Sequence, residues 1–113
     1  MRTKVNVYFY RQHNGTEPVR DWLKSALSDL ARKSAGTSLR TVQFGWPVGM
    51  PLVRKIETEL WELRVRIPEG IARIFFTVLN NELILLHGFI KKSAKIPLPD
   101  LLTARRRLSK LRQ

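Results

Sequence analysis

The chain has no cysteine among its 113 residues, so disulfides and thiolate-held metals are excluded. Histidine is nearly absent too: His13 and His87 are too few for a histidine-rich metal centre. Carboxylates are scarce, nine against 21 lysines and arginines, which leaves a formal charge of +12. Apolar runs such as residues 84–86 are far too short to span a bilayer. The start, MRTKVNVYFYRQ, lacks the long apolar core and small-residue cleavage site of a secretory signal, so a cytoplasmic location and no membrane partner are expected. A Walker loop, a glycine-rich dinucleotide fingerprint and an HExxH are also missing.

What is present is a chain of one-domain size whose 43% hydrophobic content fits a packed core. Its positive balance favours association with polyanions. Residues 91–113 hold eight basic side chains and one acidic one, Asp100, and so supply +7 of the total. A solvated basic helix face or an acidic partner would account for the same tail.

Residues 5–10, VNVYFY, are β-branched and aromatic and predict a first strand. Thr16 is positioned to cap a helix beginning near Glu17 and Pro18, on which Val19, Trp22, Leu23, Ala26, Leu27 and Leu30 follow helical spacing. A second helix is expected from Ser28 or Asp29 to about Phe44, weakened at Gly36, before the loop GWPVGMP. Pro97 and Pro99 introduce a last helix over about residues 100–111.

Between these lies the most informative stretch, residues 60–95, which predicts three consecutive antiparallel strands. Trp61, Leu63, Val65 and Ile67 alternate with Glu62, Arg64 and Arg66. A four-residue connection setting Ile67 opposite Ala72 pairs Val65 with Ile74, Leu63 with Phe76 and Trp61 with Val78. A tight turn at Asn80-Asn81 sets Leu79 against Glu82, Phe76 against Leu85 and Ile74 against His87. One face is then apolar, with Trp61, Leu63, Val65, Ile74, Phe76, Val78, Leu83, Leu85 and Phe89; the other carries Glu62, Arg64, Arg66, Arg73, Phe75, Leu86 and Gly88. A one-residue slip would drive Arg73 into the apolar layer. On this register His87 falls among apolar residues, where a structural hydrogen bond is the ordinary role. His13 lies in a polar loop with no evident partner.

The remaining chemistry is a group of cations, Arg64, Arg66, Arg73, Lys91, Lys92 and Lys95, with Glu62 beside them. Guanidinium forks hold phosphate oxygens and stabilise charge that grows as a phosphorane forms. RNA brings its own nucleophile, the 2′-hydroxyl. A lysine among guanidinium groups has its pKa lowered by like charge and could serve as a base without histidine, metal or cofactor. Composition and register alone rank plain polyanion binding above RNA cleavage.

The run LWELRV, then ARIFFTV, then LLHGFIKKSAKIP followed by a basic helix resembles the HigB branch of the RelE-like toxin superfamily, strongly over residues 60–107. The resemblance implies an α+β fold: an N-terminal strand, two helices, an antiparallel meander that the first strand joins, and a short C-terminal helix. It implies a type II toxin, a metal-independent, ribosome-dependent endoribonuclease that leaves a 2′,3′-cyclic phosphate. It also implies a cognate antitoxin, of helix-turn-helix type, that carries the toxin to operator DNA. Carried over, Arg73 matches the arginine that contacts the scissile phosphate, Arg64 a basic residue of the preceding strand, and Lys91 or Lys92 the basic residue after the last strand. Lys95 belongs to the same KKxxK segment. Arg66, Glu62 and the tail residues Arg105, Arg106 and Arg107 are expected to contact RNA, the tail on the ribosome. Glu62 departs from RelE proper, which has a lysine near that position, and the ending RRRLSKLRQ lacks the catalytic tyrosine or histidine of some relatives. Replacing Arg73 by alanine is expected to abolish activity and leave the fold intact. The same fold serves ParE-like gyrase inhibitors, which cleave no RNA; that, and a non-catalytic RNA-binding module, are the alternatives.

Overall fold

A computed structural model describes residues 4–91 and 95–113. The chain runs β1 (Asn6–Phe9), α1 (Pro18–Ala26), α2 (Asp29–Gly45), β2 (Val53–Glu57), β3 (Leu60–Ile67), β4 (Gly70–Leu79), β5 (Glu82–Lys91) and α3 (Leu98–Leu111). The strands form one sheet in the order β1-β5-β4-β3-β2. β2 to β5 are an antiparallel meander and β1 adds parallel to β5, so the expected α+β fold is present with a mixed sheet. Among the described residues no helix is long and apolar enough to cross a membrane.

The helix boundaries follow from local chemistry. The Ser28 hydroxyl accepts a hydrogen bond from the Ala31 amide at 3.2 Å and so starts α2. α2 continues through Gly36 without the expected weakness, because Ala31, Ala35 and Val42 bury a stripe on either side of it. Thr16 does not cap α1. Glu17 holds the cap position without a side-chain bond, while the Thr16 hydroxyl is engaged by Asn14 and Gln12. α3 begins two residues earlier than expected, with Pro99 in its first turn.

Both hairpins depart from the predicted register in an informative way. The first is two residues tighter: Ile67 pairs with Gly70, Val65 with Ala72, Leu63 with Ile74 and Trp61 with Phe76. Gly70, at φ 140°, lets Pro68-Glu69 make the whole connection. A shift of two preserves sidedness, so Arg64, Arg66 and Arg73 do share a face. At the second turn Asn80 and Asn81 both have positive φ, and Leu79 meets Glu82 and Phe76 meets Leu85 as predicted. A β-bulge then intervenes, so that Phe75 pairs with His87 and Ile74 with Gly88. Beyond the bulge the alternation of β5 is reversed. His87 and Phe89 leave the face assigned to them, and Gly88 moves to the helix side, where a Cβ would lie 2.5 Å from the Trp22 ring.

α1 and α2 pack on the Trp61 face as expected, over a core that includes Val19, Leu27, Val42, Leu63, Ile74, Phe76 and Leu85. The opposite face is not wholly open. α3 lies across part of it and makes a second core from Ala104 and Leu108 against Tyr10, Leu60, Phe75, Leu86 and Phe89. Phe75 and Phe76 are fully buried on opposite sides of the sheet, each contributing about 1.5–3 kcal/mol by leaving water.

Candidate functional site

Beyond the ground covered by α3, the same sheet face carries cations in rows. Glu62 of β3 stands beside Arg54 of β2 and Phe75 of β4. The next row holds Arg64, Arg73 and Phe89; the next, Arg66, Ile71 and Lys91. Five cations (Arg54, Arg64, Arg66, Arg73 and Lys91) therefore share this half-face with one carboxylate, a local excess of four positive charges.

That carboxylate is completely buried. Arg73 Nη1 donates to Glu62 Oε1 at 2.8 Å, and Arg54 Nε stands 3.8 Å from the same oxygen. Arg73, the arginine expected to contact phosphate, is itself only 6% exposed and is engaged in this internal ion pair. The surface above belongs to Arg64 and Arg66, which line an open concavity of about 220 Å³ with Pro51, Leu52 and Ile71. The Nε atoms of Arg64 and Arg73 are shut from solvent and, among the described residues, have no hydrogen-bond partner. An unpaired buried donor is costly.

Lys91 is also 6% exposed. Burial holds its pKa below the ordinary lysine value, and the nearby charge of Arg73 lowers it further, with Glu62 opposing and Arg54 and Arg64 adding smaller effects. The like-charge argument from sequence thus acts in the expected direction, although burial is the larger cause.

The other expected site residues are dispersed. Lys92 lies outside the described residues, and Lys95 is exposed just before α3. Arg105 makes a two-pronged pair with Glu57, Nε to Oε1 and Nη2 to Oε2, both at 2.8 Å, which raises its own pKa and lowers that of Glu57. Arg106 and Arg107 face away from the cluster, toward the loop after β1. His87, which the bulge turns onto this face, hydrogen-bonds through Nε2 to Asp100 Oδ1 at 2.6 Å and ties α3 to β5. Sequence reasoning missed Arg54, because VRKIE, with charge on both faces, was not recognised as a strand. The structural hydrogen bond expected of His87 is present, but its partner, Asp100, and the face it lies on depend on the bulge and were not foreseen.

Residues 21–109 match the family model described as Phage derived protein Gp49-like (DUF891), and the chain belongs to that family, which is phage-derived and toxin-like, of RelE/HigB type in general. Toxins of this kind usually pair with an antitoxin. No curated protein matches the chain.

Proposed function

We propose that this protein is a toxin of the HigB branch and acts as a ribosome-dependent mRNA endoribonuclease. The observation that carries the reading is the excess of four positive charges on the sheet half-face that α3 leaves uncovered, with Arg64 and Arg66 lining its concavity. In this reading Arg64 and Arg66 hold the non-bridging oxygens of one phosphodiester. The 2′-hydroxyl attacks the adjacent phosphorus, the bond to the 5′-oxygen breaks as that oxygen takes a proton from water, and the products are a 2′,3′-cyclic phosphate and a 5′-hydroxyl. Lys91, with its depressed pKa, takes the proton of the attacking hydroxyl when neutral. Arg73, anchored by Glu62, supplies fixed positive charge beneath the reacting phosphate rather than its principal grip.

The partners in this reading are mRNA on the ribosome and an antitoxin, of helix-turn-helix type, whose complex with the toxin binds operator DNA. Activity on free RNA is expected to be weak, since alignment of the substrate falls to the ribosome. The test is to incubate pure protein with programmed ribosomes, map the mRNA ends, and run a gyrase supercoiling assay beside it. Ribosome-dependent cuts bearing 5′-hydroxyls support the proposal. Intact mRNA together with inhibited gyrase would replace it with the ParE-like reading.

A further inference from the structure

On the other flank of α3 a second basic cavity, of about 350 Å³, is lined by Tyr10, Gln12, His13, Asn14, Arg106, Arg107 and Lys110. No carboxylate is among those residues. Arg107 is its anchor: Nη1 donates to the Leu86 carbonyl at 2.7 Å, and the guanidinium lies over the Tyr10 ring, 5.8 Å from its centroid. Its Nε is shut from solvent and has no hydrogen-bond partner among the described residues. Burial, followed by the neighbouring charge of Arg106, lowers the pKa of Arg107, so the fold pays to hold a cation here.

The loop opposite is built to match. Thr16 Oγ1 stands 2.8 Å from both Gln12 Oε1 and Asn14 Oδ1; the Thr16 amide donates to Asn14 Oδ1 at 3.1 Å, which leaves the single hydroxyl proton for Gln12 Oε1. Both amide oxygens are thereby engaged, and what the two side chains have left to offer is N–H donors. Two guanidinium groups, an ammonium and two amide donors around one concavity define a site for an acceptor-only, negatively charged ligand.

We infer that this cavity is a second phosphate-binding site, one that takes a phosphodiester of single-stranded RNA on the flank of α3 away from the Arg64–Arg66 concavity. The choice of RNA over an acidic peptide rests on the reading of the first site, because one polyanion can then engage both flanks of the helix. Arg105, held by Glu57, takes no part.

The test uses the full isotope-labelled chain and a short single-stranded 2′-O-methyl RNA, which has no nucleophile and cannot be cut. Amide signals of residues 12–16 are expected to shift on titration. Each phosphate contact contributes a logarithmic salt slope of about −0.7, or about 2.6-fold in affinity between roughly 50 and 200 mM salt. The double variant Arg106→Glu/Lys110→Glu, confined to exposed side chains, should flatten the slope by about 0.7, the share of one phosphate, and abolish the loop shifts. Arg64→Ala/Arg66→Ala should leave the loop shifts in place even where ribosome-dependent cleavage is lost, which separates failure of one site from failure of the other. Loop shifts that survive the charge reversal, that disappear in Arg64→Ala/Arg66→Ala, or that inorganic phosphate or an oligoglutamate peptide reproduces at equal charge concentration would overturn the inference.

Discussion

Arg73→Ala is expected to damage the fold before it damages chemistry. Glu62 has no exposed surface and accepts a hydrogen bond from the Arg73 guanidinium at 2.8 Å; Arg54 stands a full ångström farther away. Removing one member of a buried pair strands the other charge and costs about 3–5 kcal/mol, a large share of the roughly 5–15 kcal/mol that stabilises a domain. At about 4 °C per kcal/mol for a chain of this size, Arg73→Ala should melt about 12–20 °C below the wild type in a thermal scan followed by circular dichroism. The double variant Glu62→Leu/Arg73→Met removes both charges and keeps the volume, so it should recover most of that loss. It is also the proper vehicle for a growth assay. A folded but harmless double variant would give Arg73 a role in activity, and a folded, toxic one would confine it to structure. An Arg73→Ala protein melting within about 3 °C of wild type would refute the reasoning, because it would mean that Glu62 is not an uncompensated buried charge.

Gly88→Ala should destabilise by about 1–3 kcal/mol in chemical denaturation, since its Cβ would meet the Trp22 ring at 2.5 Å. Lys91 has a folded pKa below 10.5, so the unfolded chain binds its proton more readily, and stability rises with pH between the folded pKa and 10.5. Denaturation curves of Lys91→Met should lack that alkaline gain; an identical pH profile would remove Lys91 from the depressed-pKa role. Arg64→Ala/Arg66→Ala should melt close to wild type and lose ribosome-dependent cleavage, read by primer extension on programmed ribosomes. Unchanged cleavage would dissociate the concavity from substrate.

Much of this molecule was legible from residue order because sheet sidedness survives an error of two. The tighter turn at Gly70 moved every partner of β3, yet Arg64, Arg66 and Arg73 stayed together, since alternation has period two. The bulge in β5 was not legible. LILLH offers no proline or glycine to mark it, and the extra residue is accommodated because Leu85 and Leu86 each find a separate core, one under the paired helices and one under α3. Nor could sequence foresee which cations would be buried. Arg64 and Arg73 pair directly across two strands and look equivalent along the chain, but Arg73 occupies a central strand beside a buried acid while Arg64 borders the concavity. Glu62 was seen as a neighbour of cations; its complete burial follows from having Arg54 on one side and Phe75 on the other, and the strand that brings Arg54 was not recognised.

The inserted residue in β5 makes one length change harmless to everything beyond it. Deleting Leu86 would close the bulge, seat Leu85 and His87 directly opposite Phe76 and Phe75, and keep every later side chain on its present face, at the cost of one leucine from the core under α3. Deleting Phe89, past the bulge, would instead aim Lys91 at the oily layer beneath α1 and α2 and bring Ile90 out among the arginines. Homologous chains that keep this cationic surface should therefore differ in residue number at the bulge far more readily than between it and the end of the strand.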